Sequence, residues 1–214
     1  MARQLRPATF EEAAAALAAA AAEGQTVRIR GAGTKADWGA TGAEPDLELH
    51  TTGLSELVEH NVGDLTAVLQ AGVPLAKAQA TFAHEGQMLS LDPPFGRGDD
   101  ATATIGGVVA TADSGPLRHR YGAARDLVVG MTVALSDGTI ARSGGKVIKN
   151  VAGYDIAKLF SGAFGTLGAI LEVSVRLHSV APAPRPTGGP PAPSQTSSFT
   201  RRPWTRSSST TWAT

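Results

Sequence analysis

The stretch "VRIRGAGTKADWGATG", residues 27–42, places a glycine-rich turn directly after a strand. Val27 and Ile29 alternate with Arg28 and Arg30, the period of two expected of a half-buried strand. The turn "GAGTKA" matches the dinucleotide fingerprint GxGxxG/A through Gly31, Gly33 and Ala36. That fingerprint requires a helix immediately after the turn, because the helix N-terminus receives the pyrophosphate. Here Gly39, Gly42 and Pro45 break any helical pattern, so a nicotinamide-type doubly wound fold is disfavoured. The ATPase P-loop also fails, since Lys35 lies two residues after the last glycine and no Ser or Thr follows it. Two readings remain: a small-residue run whose backbone N–H groups form an anion nest without a helix, or a plain turn between strands.

The chain has 214 residues and a formal net charge of zero, enough length for a sizeable core and no bias toward nucleic acid. It contains no cysteine, which excludes disulfides, thiolate zinc sites, iron–sulfur ligation and a cysteine nucleophile within it. The apolar run "AAAALAAAAA" (13–22) is too short and alanine-rich to span a bilayer. It follows "TFEE" rather than a basic region, so it reads as a helix and not a signal peptide, with a Thr9/Glu12 capping box and a stop at Gly24. No transmembrane segment is expected.

Further along, "DLELH" (46–50) and "LTAVLQAGV" (65–73) read as strands. Pro74 opens a helix whose inward positions are Leu75, Ala78 and Phe82. "QMLSLDPPFG" is a short strand running into a proline turn. "LVVGMTVALSDGTIARSGG" (127–145) is a hairpin about the Asp137–Gly138 turn. "GYDIAKLFSG" (153–162) is a short helix with Asp155 as N-cap. In "LEVSVRLH" (171–178), Leu171, Val173, Val175 and Leu177 are expected on one strand face, with Glu172, Ser174, Arg176 and His178 on the other. After Ala181 the composition changes: residues 182–214 hold seven of the 13 prolines, four arginines and no acidic residue. Removing those arginines leaves 15 basic against 19 acidic residues in the body. Such a tail is expected to be disordered.

Three more segments are rich in Gly, Ala, Ser and Thr where no packing pattern asks for it: "ATATIGGVVATADSGP" (101–116), "GGKVIKNVAGYD" (144–155) and "SGAFGTLGAI" (161–170). Small residues let a backbone approach a large flat ligand, and they also serve helix–sheet contacts. His50, His60, His84, His119 and His178 show no metal-ligand spacing, and there is no GxSxG elbow. Asp99 and Asp100 read as a solvated turn. Arg118, His119 and Arg120 form a basic cluster, read either as solvated surface or as a clamp on a cofactor phosphate or a partner's carboxylate.

The order "RGAGTK … DPP … TIGGVVATADSGP … RYGAARDLVVGMTVALSDGT … GGKVIKNVAGYD … SGAFGTLGAILEVSVRL" resembles the FAD-binding (PCMH-type) domain of the vanillyl-alcohol-oxidase/p-cresol methylhydroxylase flavoprotein superfamily, and within it the FAD-binding E subunits of bacterial glycolate oxidases. The resemblance covers roughly residues 7–181, and "KNVAGYD" followed by GxLG is its most specific part. It implies an α+β, two-subdomain fold over residues 1–181, with subdomains of about 1–90 and 91–181, and FAD between them. The family's cap or substrate domain is missing from the pattern, and the tail stands where it would begin.

By position, the resemblance places Arg30, Gly31, Ala32, Gly33, Thr34 and Lys35 around the pyrophosphate. It runs Thr104, Ile105, Gly106 and Gly107, then Thr111, Ala112, Asp113, Ser114 and Gly115, along the flavin and phosphate path. It sets Gly165, Thr166, Gly168 and Ile170 beside the adenine or isoalloxazine. The FAD is expected to be noncovalent, since the phosphate loop has no histidine and the chain no cysteine. The implied function is an FAD-binding subunit of a glycolate (2-hydroxy acid) oxidase complex, with a second FAD subunit and an iron–sulfur subunit as partners, in the cytoplasm or membrane-associated through those partners. A non-catalytic flavin-carrying subunit and another FAD-dependent reductase on the same fold, such as a cell-wall-precursor reductase, are the alternatives. No catalytic residue is assigned.

Overall fold

The computed structural model describes residues 2–38, 42–94, 103–145 and 155–180. Most of the "GGKVIKNVAGYD" segment, the Asp99–Asp100 pair and the tail from residue 181 onward lie outside them.

The chain starts with strand β1 (Arg3–Leu5), helix α1 (Phe10–Ala22), β2 (Val27–Arg30) and β3 (Leu47–His50). Thr9 caps α1 as expected, its Oγ1 accepting from the Glu12 N–H at 3.1 Å. The Glu12 carboxylate reaches one residue further back than a capping box requires and accepts from the Ala8 N–H at 2.7 Å. β1 and β2 both run parallel to β3, which lies between them. Their register sets Arg30 beside His50, so β2 and β3 end at the same level.

A short 3₁₀ turn (Thr51–Gly53) leads to β4 (Leu57–Asn61), β5 (Thr66–Gln70), α2 (Leu75–His84) and β6 (Gln87–Met88). Leu75, Ala78 and Phe82 are all fully buried, as their spacing on α2 requires. Then come α3 (Ile105–Thr111), α4 (Arg118–Tyr121), α5 (Ala124–Leu127), the hairpin β7 (Val128–Ala134) and β8 (Ile140–Gly144), α6 (Ile156–Phe160), β9 (Ala169–Arg176) and β10 (His178–Ser179). Five of these strands form one antiparallel sheet in the order β4-β5-β9-β7-β8. The change of sheet along the chain therefore falls between His50 and Leu57. β4 pairs with β5, and β5 in turn pairs with β9 from the second part of the chain, while β6 pairs with β10 in a separate two-stranded sheet.

Two apolar clusters hold the fold together. The larger packs α2, α3, α5 and α6 against the five-stranded sheet. The smaller packs Ala13, Ala14 and Leu17 of α1 against Leu49, Ala134, Ala169 and Leu171. The face expected for Leu171 is corrected here. It packs with α1, whereas Ile170, Val173, Val175 and Leu177 belong to the larger cluster. The cause is a bulge: β7 residue Thr132 pairs with Glu172 but the next residue, Val133, pairs with Ile170. Leu171 is the extra residue, and alternation reverses across it.

The small-residue stretch "TIGGVVAT", read either as an approach to a ligand or as a helix–sheet contact, forms α3. Thr104 is the N-cap, with Oγ1 accepting from the Gly107 N–H at 3.3 Å. Two glycines in a seven-residue helix lower its propensity. Tertiary bonds compensate: Ile105 N–H donates to the Val73 carbonyl at 2.9 Å and Gly106 N–H to the Ala71 carbonyl at 2.8 Å.

Candidate functional site

A cavity of about 510 Å³ opens where β2 and β3 end. Its walls come from three places distant in sequence: the turn after β2, the helix α3, and the segment from α6 to β9. The size suits a small-molecule or cofactor site, and its position at the carboxyl ends of parallel strands is where α/β sheets hold ligands.

Of the residues singled out from sequence, Arg30, Gly31, Ala32, Gly33, Thr34 and Lys35 all line this cavity. So do Thr104, Gly106, Gly107 and Thr111, and Gly165, Thr166, Gly168 and Ile170. Ile105, Ala112, Asp113, Ser114 and Gly115 do not. Ile105 is buried in the larger core. Ala112 ends α3 in a left-handed conformation, φ +52. Gly115 packs on the Asp92 backbone, where no Cβ would fit. Ser114 keeps a buried hydroxyl without a partner. Asp113 is buried and acts at one remove, because its Oδ2 lies 3.0 Å from Lys35 Nζ. The contact is an ion pair by distance without the alignment of a hydrogen bond.

The turn itself follows the non-helical reading. Among the described residues after Gly33, up to residue 38, there is no helix, and Gly33 sits at φ +77, a region that strongly favours glycine. A Cβ at Gly31 would run into the Thr104 side chain, so the turn lies hard against the start of α3. Gly106 and Gly107 divide two tasks. A Cβ on Gly106 would meet Ala71 Cβ at 2.6 Å, so that glycine serves helix–strand packing. A Cβ on Gly107 would meet only Thr104 Oγ1, at 3.1 Å, so that position leaves room on the cavity side.

Positive charge is held at one side of the cavity. Arg28 and Arg30 both line it, and both lean on Glu48 of β3, with Nη1 atoms 3.6 and 3.4 Å from Oε1. His50 Nε2 lies 3.4 Å from the other oxygen of the same carboxylate. One buried carboxylate thus serves two guanidinium groups, leaving a net positive charge beside the turn. The Lys35 ammonium, expected to face phosphate, is already neutralised by Asp113. The lining also carries apolar and aromatic side chains: Ile29, Trp38, Phe160, Phe164 and Ile170. Cationic groups at the turn, small residues on α3 and aromatic side chains in one lining together fit a ligand that joins phosphate to flat rings, such as a flavin dinucleotide.

The chain matches the family described as FAD binding domain over residues 2–144. It belongs to that family. The FAD-binding domain carries the α+β fold that the sequence resemblance implied, and FAD is its cofactor. Among its relatives, glycolate oxidase subunit GlcE of Escherichia coli (strain K12) is 37% identical over 159 residues, covering 73% of this chain and 43% of that one. Glycolate oxidase subunit GlcD of Bacillus subtilis (strain 168) is 38% identical over 149 residues, 69% of this chain and 31% of that one. A D-lactate dehydrogenase of Archaeoglobus fulgidus is 36% identical over 174 residues, 81% of this chain and 38% of that one. The chain thus spans less than half the length of these relatives. In fold it is similar to alkyldihydroxyacetonephosphate synthase, with a TM-score of 0.68 at 21% identity, over 84% of this chain and 32% of that one.

Several cavity residues were not found from sequence: Arg28, Ile29, Ala36, Trp38, Gly42, Thr51, Ala110, Phe160 and Phe164. Arg28 and Ile29 carried only a strand signal. Thr51 could have been found from the rule that ligands sit where parallel strands end. Phe160 and Phe164 looked like ordinary apolar residues. The basic cluster Arg118, His119 and Arg120 lies on exposed α4 and none of it lines the cavity, which separates it from a phosphate clamp there. Among the described residues no group of His, Cys, Asp and Glu could hold a metal ion, and no helix is long and apolar enough to cross a membrane.

Proposed function

We propose that this chain is the FAD-binding part of a flavin-dependent oxidoreductase acting on a small 2-hydroxy acid such as glycolate, within a complex that includes a second FAD subunit and an iron–sulfur subunit. The observation that carries the reading is one cavity that gathers the turn 30–35, helix α3 and the segment 165–170. Relatives named as glycolate oxidase subunits and a D-lactate dehydrogenase supply the substrate class. Bound FAD would supply hydride acceptance.

The chain's own residues would bind and orient it. The N–H groups of the turn after β2, with Arg30 and Arg28 behind them, would face the pyrophosphate. Thr104 and Thr111 bring hydroxyls to the same wall, and Gly107 leaves the space for close approach. The FAD is noncovalent in this reading, because the described lining contains no histidine, cysteine or tyrosine to form a link.

Purified protein tests it directly. Titration with FAD should give saturable binding, and acid precipitation should release the flavin into the supernatant. Anaerobic addition of glycolate or D-lactate, with partner subunits present, should bleach the flavin absorbance. Flavin that stays with the pellet contradicts the noncovalent assignment, and bleaching by NADPH but by no 2-hydroxy acid would replace the substrate class.

A further inference from the structure

Phe164 occupies a conformation that its residue type disfavours. Its φ is +54, in the left-handed region, where a Cβ crowds the backbone. Gly162 and Gly165, two residues before and one after, also take positive φ, +84 and +76, where glycine carries no Cβ penalty. Two bonds to the end of α3 hold the conformation. Gly162 N–H donates to the Val109 carbonyl at 3.1 Å, and Phe164 N–H donates to the Ala110 carbonyl at 2.8 Å. These carbonyls lie in the last turn of α3, so the loop caps the helix that floors the cavity.

The phenyl ring gains little from the protein in return. Phe164 is 50% exposed and takes no part in either apolar cluster, although it lines the cavity. Leu65 and Ala112 share the left-handed conformation without lining the cavity, so the ring's half-exposed place in the cavity wall, together with the strain, is what points to a ligand contact. On the same loop a Cβ at Gly165 would meet only Ile29, at 3.5 Å, so nothing but ordinary contact fills the space next to the ring.

We infer that Phe164 is a stacking platform for a planar heteroaromatic ring of the bound dinucleotide. This rests on the proposed function for the identity of the ligand. The ring is either the adenine or the isoalloxazine of FAD, two sources of one chemistry. Stacking needs a π face, so an aliphatic side chain of similar bulk would not replace it.

The test uses Phe164→Gly, Phe164→Leu and Phe164→Tyr, with FAD, ADP and FMN as probes in equilibrium titrations. Glycine relieves the left-handed strain while deleting the ring, so the melting temperature without ligand should hold or rise as FAD binding weakens roughly 5- to 100-fold. Phe164→Leu should weaken FAD similarly, and Phe164→Tyr should bind like the wild type. If the loss appears with ADP and not FMN, the ring is adenine; the reverse marks isoalloxazine, and both support the inference. FAD affinity unchanged in Phe164→Gly and Phe164→Leu overturns it while leaving the proposed function standing. A Phe164→Gly protein that unfolds without ligand also overturns it, by showing that the ring serves packing. Wild-type protein that binds none of the three probes removes the proposed function and this inference together.

Discussion

Lys35 Nζ and Asp113 Oδ2 lie 3.0 Å apart, with side chains only 8% and 7% exposed, and so join the turn after β2 to the segment that follows α3. Both residues were singled out from sequence as cofactor contacts. In the structure they contact each other, and the pair fixes the turn against its neighbour. The Lys35 ammonium also lies 5.6 Å from the centre of the Trp38 ring, which keeps the end of the turn folded back.

Breaking this pair should cost more than deleting it. Asp113→Ala leaves a buried ammonium without its anion, and losses of about 3–5 kcal/mol are typical of that situation. Lys35→Met combined with Asp113→Leu removes both charges and should recover much of the loss. Urea denaturation of the two single variants and the double variant gives the coupling. A double variant as unstable as the sum of the singles would mean that the pair does not act as a unit.

Gly33→Val should abolish FAD retention. Its φ of +77 resists a branched residue, and the new Cβ would come within 2.7 Å of the Arg30 guanidinium. Arg30 would have to leave its place beside Glu48, taking charge away from the cavity. Ala15→Val, on the exposed side of α1, is the control, with a propensity cost of about 0.5 kcal/mol and normal flavin content. Equal flavin in wild type and Gly33→Val would disprove the role of the turn.

Adjacent glycines on α3 should answer differently. Gly106→Ala forces a Cβ onto Ala71 and should destabilise the fold by about 1–3 kcal/mol through overpacking. Gly107→Leu grows into the cavity, keeps the fold or strengthens it through better helix propensity, and blocks the ligand. Thermal melts and FAD titration on the two variants should therefore diverge in opposite senses. Loss of stability in Gly107→Leu, or FAD bound as tightly as by the wild type, would contradict the placement of the cavity.

Acid should weaken the fold through His178. Burial, followed by the nearby Arg176 charge, lowers its pKa below the ordinary 6.5. Its Nδ1 is 2.9 Å from the Ser90 hydroxyl, and its ring tilts on Tyr121 with centroids 4.6 Å apart. The unfolded chain protonates this histidine first. Its stabilising contribution is complete above about pH 6.5 and is lost as pH falls toward the depressed value. Denaturation at pH 7.5 and pH 5.5 should show a smaller difference in His178→Gln than in the wild type. An identical pH dependence in the two proteins would exclude His178 as a source.

Local chemistry was legible in the sequence. The stop of α1 at Gly24, the Thr9 cap, the buried face of α2, the Asp137–Gly138 hairpin and the Asp155 cap all depend on residues within a turn or two of each other. Each appears in the fold, with Asp155 accepting from the Lys158 N–H at 3.2 Å. The non-helical turn after β2 was legible for the same reason, since Gly33 and the breakers after it act on their own backbone. Small-residue composition marked three walls of the cavity because close backbone approach leaves that trace wherever it occurs.

Tertiary structure decided what depends on partners far along the chain. The helix α3 exists despite two glycines because strand β5 and the residues after it supply acceptors at Ala71 and Val73. Leu171 changes face because β7 pairs one residue short, and no pattern within "LEVSVRLH" records its neighbour's register. Lys35 pairs with Asp113, 78 positions away, because a buried ammonium needs an anion and the fold places one at 3.0 Å. Phe164 becomes a wall of the cavity because the end of α3 holds its backbone in a conformation its own sequence does not favour.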